Sequence, residues 1–375
     1  MRERDFVPKL LAWFAQNARP LPWRRTRDPY AIWVSEIMLQ QTQVKTVLPY
    51  WKRWMQALPN LAELAKAKPR ALHKLWEGLG YYTRVRNLQR AAQLIVAQHG
   101  GCFPCDFDAV LALPGIGRYT AGAICSIAFN QPRPVVDGNV TRVLTRWYGI
   151  AGNPRKRHVN GRLWQLAEEL VQRAAAIGAS TTTASHASRI PHHASRPGSQ
   201  LNQALMELGA VICTPRNPRC GECPIARNCV ACEQNRVHEL PDRARRGHAT
   251  PRRFVAFVAQ KGSCFLVRQR PAGVVNAHLW EFPNVELAMD DDDLQRAARS
   301  VLGVRAEAFE PLATLKHSIT RYRITLEVHR TTSRQLARVP SAKGRWLTRN
   351  RLDQLPFTGA HKRILQRLGD HGLSA

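Results

Sequence analysis

Apolar residues recur at spacings of three and four through most of residues 1–232, which predicts a helical region. Proline and glycine interrupt the pattern between stretches. The clearest predicted helical stretches are 61–76, 85–99, 107–113, 118–129, 161–177 and 200–211. The interval 178–199 is rich in Ser, Thr, Ala and His and has no apolar period, so we expect a flexible, low-complexity insertion there.

Residues 233–252 form a polar, basic segment with two prolines, which is typical of a linker. After this segment the spacing of apolar residues changes. Phe254–Val258 and Cys264–Val267 are apolar runs on either side of a Lys-Gly pair, and they predict a β-hairpin. Residues 322–330 alternate between apolar and polar, as a strand does, and Asp290–Asp293 is well placed to open a short helix.

The pattern therefore predicts a mainly α N-terminal domain, 1–232, and a smaller α+β domain, 253–375, joined by the linker. The chain has 375 residues, of which 44% are hydrophobic, enough for two cores. No apolar run is long enough to cross a bilayer, and the first residues lack the apolar stretch of a signal peptide.

The formal net charge of +29 changes the picture, because it favours a polyanionic partner such as nucleic acid. A nucleotide bias toward arginine codons would raise the charge without any function. Charge alone therefore favours nucleic acid without establishing it.

Four cysteines, Cys213, Cys220, Cys223 and Cys229, are separated by six, two and five residues in a Pro- and Arg-rich segment. Thiolates at this spacing can converge on one metal centre, and the composition indicates a loop around it. An iron–sulfur cluster and a structural zinc both fit the residues. Cys232 is a possible substitute ligand, although Cys229 gives the better pattern.

Glu36 is a carboxylate in an otherwise apolar helix that Asp28 and Pro29 should open. Burial should raise its pKa and make it a proton donor near neutral pH. A structural ion pair with an arginine is the equally plausible alternative.

Asp137 stands just before the helical stretch Thr141–Tyr148, where it would cap the helix and stay ionised. Together with Glu36 it would give one carboxylate of raised pKa and one of lowered pKa, which suits cleavage of a glycosidic bond.

The segment Leu113-Pro114-Gly115-Ile116-Gly117 lies between two short helical stretches, at about 107–129. Its glycines allow a tight turn, and free N–H groups at the next helix would bind phosphate. We interpret it as a helix-hairpin-helix that holds the DNA backbone without reading sequence; a plain turn is the alternative.

Taken together, these motifs resemble the MutY-type adenine DNA glycosylases of the endonuclease III-like, helix-hairpin-helix superfamily. The resemblance covers almost the whole chain. It rests on Leu21–Arg24, Ser35–Thr42, Trp76–Tyr82, Leu113–Ala121, Val136–Asn139, Asn202–Ala210 and the four cysteines. It implies a helix-hairpin-helix glycosylase fold and a [4Fe–4S] cluster, not zinc, on Cys213, Cys220, Cys223 and Cys229.

The resemblance also implies the chemistry. The enzyme would flip out adenine mispaired with 8-oxoguanine or guanine. Glu36 matches the family's catalytic acid, which protonates the adenine at N7. Asp137 matches the carboxylate that stabilises the sugar cation, Tyr119 matches the tyrosine that hydrogen-bonds this aspartate, and Asn139 belongs to the same site.

The resemblance assigns DNA contacts to two groups of residues. Gln41 and Tyr81 match residues inserted into the duplex beside the lesion. The remaining predicted contacts are Arg24, Thr42, Leu113, Gly115, Gly117 and Arg118.

Relatives that also cut the DNA backbone place a lysine in the second helix of the hairpin and form a Schiff base with it. Tyr119 fills that place here, and the guanidinium of Arg118 stays protonated and is not a nucleophile. The resemblance therefore implies a monofunctional glycosylase that leaves an abasic site.

The C-terminal domain resembles the MutT-like (Nudix-type) domain that such enzymes use to recognise 8-oxoguanine. Gln295–Ser300 replaces the Nudix glutamates and cannot hold magnesium, so we expect recognition without nucleotide hydrolysis. In place of the family's Phe-Ser-His loop the chain has His317-Ser318-Ile319-Thr320-Arg321. His317 and Ser318, or Thr320 in place of the serine, are the candidates for reading the lesion.

The expected partner is double-stranded DNA carrying A:8-oxoguanine or A:G mispairs, with no membrane association. We expect a cytoplasmic monomer associated with the bacterial nucleoid.

Overall fold

The computed structural model describes residues 5–183, 196–242, 249–319 and 321–370. The chain divides into two compact units, each made of two chain segments. The first unit comprises Met1–Lys66 and Asn87–Arg245, and the second comprises Ala67–Arg86 and Arg246–Ala375.

Helices make up the chain as far as Glu233, as the apolar period predicts. In order they are α1 (Phe6–Asn17), α2 (Pro29–Leu39), α3 (Val44–Ala57), α4 (Leu61–Lys66), α5 (Pro69–Leu75), α6 (Thr83–Gln98), α7 (Phe107–Leu111), α8 (Arg118–Ile127), α9 (Gly138–Tyr148), α10 (Arg157–Thr183), α11 (Pro197–Val211) and α12 (Val230–Glu233). The stretch predicted at 61–76 is two helices, because Pro69 opens a new one at its first position.

The boundaries of the predicted insertion were wrong at both ends. Helix α10 continues to Thr183, and α11 already begins at Pro197, so only 184–196 is left between them. Residues 184–195 lie outside the described part of the chain. A helix that has begun propagates at little cost, so α10 extends beyond the point where its apolar period stops.

The core of the first unit lies where α1, α9, α10 and α11 pack together. Each helix contributes apolar side chains from one face, and α9 and α11 carry the residues that reach the candidate site. The fully buried members of this core include Leu10, Leu144, Leu163, Val171 and Leu205. This packing fixes α9 and α11, and therefore the position of the residues at their ends.

The second unit is built on a mixed sheet. Its strands are β1 (Thr250–Lys261), β2 (Cys264–Gln269), β3 (Trp280–Glu281), β4 (Asn284–Leu287), β5 (Ala308–Ile319), β6 (Tyr322–Thr332) and β7 (Arg345–Thr348). The strand order is β3-β2-β1-β6-β5, with β4 paired to β1 and β7 to β2. The predicted hairpin, Gln260 opposite Phe265, and the strand predicted at 322–330 are confirmed.

Both faces of this sheet are covered, by α13 (Leu294–Leu302) on one and by α15 (Gly359–Asp370) on the other, with α14 (Arg349–Asp353) beside the latter. Residues of β1 alternate between the two cores: Val255 and Phe257 face α13, and Ala256 and Val258 face α15. Asp293 caps α13 through the N–H of Arg296, as the acidic run predicted. None of the helices described is long and apolar enough to cross a membrane.

Candidate active site

Glu36 lies on α2, a helix that is buried on nearly all sides. Asp28 caps α2 by accepting the N–H of Tyr30, and Pro29 occupies the first position. Only 5% of Glu36 is exposed. Burial raises its pKa to about 7, and the negative charge of Asp137 adds to the rise, while the hydrogen bond from Tyr119 and the charge of Arg24 oppose it. The expectation of a buried carboxyl that carries a proton near neutral pH is thus consistent with the structure.

Tyr119 lies in the first turn of the hairpin's second helix, α8, and its hydroxyl donates to Oε2 of Glu36 at 2.7 Å. The family resemblance implied a hydrogen bond from Tyr119 to Asp137, whereas in the structure its partner is Glu36. Asp137 is nonetheless close enough for its charge to raise the pKa of Tyr119, in addition to burial and the charge of Glu36. The three side chains therefore form one electrostatic group.

Asp137 caps α9, as its position predicted. Its Oδ1 accepts the backbone N–H groups of Asn139 and Val140 at 2.8 and 2.7 Å, and its Oδ2 accepts the side-chain amide of Asn139 at 2.9 Å. The prediction of a lowered pKa was wrong. Burial raises the pKa of Asp137, and it outweighs the three hydrogen bonds and the charge of Arg142, which oppose it.

Arg142 is a functional residue that the sequence reasoning missed. Its guanidinium is buried and donates to Oδ1 of Asn139 at 2.8 Å, and to the carbonyl oxygens of Cys213 and Gly209, both at 2.6 Å. Gly209 permits this approach, because a Cβ there would lie 2.6 Å from Cβ of Asn139. One sequence signal was available: a charged residue on the apolar face of a helix, five positions after a candidate catalytic aspartate.

Arg24, a predicted DNA contact, is engaged inside the first unit. It donates to Oε2 of buried Glu207 at 2.8 Å, while Arg19 donates to both oxygens of the same carboxylate. These donors hold the pKa of Glu207 at about 2 although burial acts in the opposite direction. Arg24 therefore has a structural partner, and its contact with DNA stays a prediction.

The predicted helix-hairpin-helix consists of α7, a turn and α8. Leu113 is buried and anchors the turn, while Gly115 has φ of +79°. A Cβ at Gly115 would lie 2.7 Å from Cβ of Asn87, so both its conformation and its surroundings require glycine. Gly117 directly precedes α8, and because it has no side chain it leaves the first N–H groups of the helix uncovered. The guanidinium of the exposed Arg118 lies 4.0 Å from the centre of the Trp164 ring.

Gln41 and Tyr81, the predicted insertion residues, share an uncommon backbone conformation, with φ of +58° and +47°. Both are exposed, and 49% of Tyr81 is accessible. Thr42, the neighbouring predicted contact, donates its N–H to the carbonyl of Leu39 at the end of α2. Gln41 belongs to the first unit and Tyr81 to the second.

Cys213, Cys220, Cys223 and Cys229 converge in the loop between α11 and α12. They are free thiols, partly buried, and two short turns, Cys220–Glu222 and Ala226–Asn228, set their spacing. Burial raises the pKa of Cys223 to about 12, and the charges of the other three thiols add to the rise. A thiol so placed becomes an anion only when a cation replaces its proton, as in a metal centre.

An iron–sulfur cluster fits this donor set better than one zinc ion. Within the described residues no group of three or more His, Cys, Asp or Glu lies close enough to hold a single ion. A cluster instead distributes its four thiolates over four irons. Arg146 donates to the sulfur of Cys213 at 3.3 Å, and Cys232 hydrogen-bonds Cys220, so positive charge and a fifth thiol stand beside the ligands.

The candidate lesion-reading residues His317 and Ser318 lie at the end of β5, paired with Ile324 and Arg323 of β6. Ser318 is exposed and His317 is half-buried, and burial lowers the pKa of His317. Thr320 lies outside the described residues. In the described structure these residues belong to the second unit, and Glu36, Tyr119, Asp137 and Asn139 to the first.

Three family descriptions match the chain. Residues 34–169 match the HhH-GPD superfamily base excision DNA repair protein, 213–229 the iron-sulfur binding domain of endonuclease III, and 254–367 the NUDIX domain. The last match and the mixed sheet support the predicted Nudix-like domain, and the iron-sulfur match supports a [4Fe–4S] cluster at the four cysteines.

The sequence is also similar to adenine DNA glycosylases over nearly its whole length. It is 35% identical to the adenine DNA glycosylase of Mus musculus over 98% of this chain and 78% of that protein. It is 34% identical to the adenine DNA glycosylase of Homo sapiens over 96% of this chain and 73% of that protein. Among solved structures, a thermostable thymine-DNA glycosylase superposes with a TM-score of 0.52, at 28% identity, over 62% of this chain and 97% of that one.

Proposed function

Because the chain belongs to the adenine DNA glycosylase family, a family of base excision repair enzymes that bind DNA, we propose that it removes adenine paired with 8-oxoguanine or guanine and leaves an abasic site. The observation that carries the proposal is the group formed by Glu36, Tyr119 and Asp137, in which a buried and a half-buried carboxyl lie within electrostatic reach of each other.

In this reaction Glu36 is the general acid. With a pKa of about 7 it carries a proton on a substantial fraction of molecules at neutral pH, and it can give that proton to N7 of a flipped-out adenine. Protonation turns adenine into a neutral leaving group. Tyr119 donates to one oxygen of Glu36, so it orients the carboxyl and leaves the other oxygen for the base.

Asp137 stabilises the positive charge that develops on the sugar when the bond to adenine breaks. Its position at the start of α9 is fixed by the two backbone N–H groups it accepts, and Asn139 and Arg142 hold the turn. Water then adds to the sugar carbon and completes the hydrolysis. No lysine occupies the position of Tyr119, which supports a monofunctional enzyme that forms no Schiff base.

DNA binding is assigned to the hairpin and to the two residues of positive φ. Gly115, Gly117 and Arg118 would hold a phosphate at the start of α8, with Leu113 fixing the turn. Gln41 and Tyr81 would enter the duplex beside the mispair, while Arg24 and Thr42 would support them. His317, Ser318 and Thr320 would read the oxidised guanine in a Nudix-like domain that does not hydrolyse nucleotides.

The [4Fe–4S] cluster would be held by Cys213, Cys220, Cys223 and Cys229 and supplies a fixed, charged anchor for their loop, not a step of the hydrolysis. The loop exposes Arg216, Arg219 and Arg227, which can contact DNA phosphate. We place the enzyme as a monomer in the cytoplasm, at the nucleoid.

The experiment that tests this function incubates the protein with a duplex carrying adenine opposite 8-oxoguanine and measures free adenine. Borohydride is added in a parallel reaction. Adenine release with little covalent trapping is expected; no release would overturn the assignment as an adenine glycosylase, and efficient trapping would overturn the monofunctional mechanism.

A further inference from the structure

Glu77 is a buried carboxylate outside the site described so far. It is 6% exposed and belongs to the part of the second unit that comes from residues 67–86. Its Oε1 accepts the backbone N–H of Phe357 at 2.9 Å. Its Oε2 accepts from the ammonium groups of Lys362 at 2.5 Å and Lys74 at 3.1 Å.

Phe357 lies at the edge of the C-terminal sheet. Its neighbours bracket Trp280 of β3: the N–H of Trp280 donates to Pro356 O at 2.8 Å, and the N–H of Thr358 donates to Trp280 O at 3.1 Å. In such a bridge the N–H of Phe357 points away from the strand, and Glu77 takes it up. Lys74 strengthens the same junction by donating to the carbonyl oxygens of Asp353 and Leu355.

Glu77 itself lies in a tight turn that ends at Tyr81. We call residues 76–81 the Tyr81 turn. Gly78, Gly80 and Tyr81 all have positive φ, so the turn has a defined path. Arg84 donates to the carbonyls of Leu79 and Gly80 at 2.7 and 3.1 Å.

Side-chain contacts also hold Trp76, the first residue of the Tyr81 turn, in place. Trp76 is fully buried, and its indole N–H donates to Gly80 O at 3.0 Å. The guanidinium of Arg84 lies over the rings of both Trp76 and Tyr81, at 5.3 and 5.7 Å. Hydrogen bonds therefore connect the sheet edge to this turn through Glu77, and the guanidinium of Arg84 connects the turn to the ring of the exposed Tyr81.

We propose that Glu77 is a positioning residue that fixes the Tyr81 turn to the edge of the C-terminal sheet, so that recognition of the base opposite adenine and insertion of Tyr81 into DNA occur as one event. This inference rests on the proposed function, in which the C-terminal sheet reads 8-oxoguanine and Tyr81 enters the duplex. The proposed positioning depends on the negative charge of Glu77, because the ammonium groups of Lys74 and Lys362 both contact its Oε2.

The test measures single-turnover adenine release from two duplexes, with adenine opposite 8-oxoguanine and opposite guanine. Glu77→Gln keeps an acceptor for Phe357 and removes the charge between the lysines. It should reduce the preference for 8-oxoguanine by about tenfold, within the usual range of coupling between two sites. Tyr81→Ala should reduce it similarly, and the double variant no further than either alone.

Asp353→Asn is the matched control. It also removes one carboxylate next to this junction, but Asp353 pairs with Arg349 in a largely exposed i,i+4 pair, and only its backbone carbonyl meets Lys74. The preference for 8-oxoguanine should stay at the wild-type value.

Three outcomes separate the possibilities. If Glu77→Gln slowed release from both duplexes equally while lowering the melting temperature, Glu77 would serve stability alone and the proposal would be overturned. If the effects of Glu77→Gln and Tyr81→Ala multiplied, the two residues would act independently, with the same consequence. A wild-type protein that released no adenine from either duplex would instead overturn the proposed function.

A second readout does not depend on base preference. A 2-aminopurine placed beside the mispair fluoresces more strongly when a side chain unstacks it. Glu77→Gln at saturating concentration should give a smaller fluorescence rise than the wild type and Asp353→Asn. An undiminished rise would overturn the coupling, even in an enzyme without any preference for 8-oxoguanine.

Discussion

The hydroxyl of Tyr119, a half-buried residue, donates to Oε2 of the buried Glu36 at 2.7 Å. The hydrogen bond stabilises the ionised form of the carboxyl and thereby limits the rise of its pKa. The proposed acid is therefore adjusted by two opposing effects, burial and one phenolic donor, and each can be removed separately.

Removing the acid should abolish catalysis. Glu36→Gln keeps the shape of the side chain but has no transferable proton, so we expect adenine release to fall by about 10²- to 10⁴-fold or more. The measurement is single-turnover release from the A:8-oxoguanine duplex. DNA affinity and far-UV circular dichroism should stay close to wild type; a variant that kept wild-type rates would contradict the assigned role.

Removing the phenolic donor should move the pH profile. Glu36 acts as an acid, so the rate should fall as pH rises through its pKa of about 7. The Tyr119 hydrogen bond lowers that pKa, so Tyr119→Phe should shift the falling limb to higher pH. The check is single-turnover release measured at a series of pH values; a limb that moved to lower pH would show that the hydroxyl acts differently.

Burial of Glu36 also predicts a pH-dependent stability. Its pKa is about 7 in the folded protein against an ordinary value of 4.5, so the folded state binds the proton more tightly. The free energy of unfolding should therefore fall as pH rises from 4.5 to 7, by on the order of 3 kcal/mol from this residue. Glu36→Gln should remove that part of the slope, which urea unfolding at several pH values would measure. Equal slopes in both proteins would contradict the burial effect.

The hairpin turn should not tolerate a side chain. Gly115→Ala places a Cβ 2.7 Å from Asn87 at φ of +79°, and we expect a loss of about 1–3 kcal/mol of stability together with weaker DNA binding. Gly161→Ala is the control, because nothing lies within 4 Å of a Cβ at this position in α10. Thermal unfolding and a DNA-binding titration test the pair; equal behaviour would mean that the turn adapts.

Loss of a cysteine ligand should affect folding and DNA binding before chemistry. Cys223→Ser should remove the visible absorption of the cluster and cost several kcal/mol of stability, because metal binding contributes directly to folding. The exposed Cys102 supplies the control Cys102→Ser, which should keep the absorption. A Cys223→Ser protein with normal stability and DNA affinity would show that its loop does not need the cluster.

The sequence predicted a structural feature correctly where one short segment of the chain determines that feature. The cap at Asp137 follows from an aspartate before a helical stretch, and the burial of Glu36 from apolar residues on all sides of α2. The β1–β2 hairpin was visible in the same way, because its strands are neighbours in the chain.

The remaining features depend on residues distant in the chain. Tyr119 is 83 positions from Glu36, and Arg24 is 183 positions from Glu207, so no local pattern shows which partner each selects. The pKa of Asp137 was predicted in the wrong direction because its helix cap is local, whereas the burial that outweighs it comes from tertiary packing.

The three hydrogen bonds to the Asp137 carboxylate all run toward it, which favours its charged form. Arg142 has donors only, so Asn139 must present its oxygen to Arg142 and its NH₂ to Oδ2 of Asp137. Oδ1 already accepts two backbone N–H groups. A proton on Oδ1 would have to displace one of these two donors. The polarity of its neighbours thus favours the charged carboxylate and opposes burial, which still leaves the pKa of Asp137 above its ordinary value.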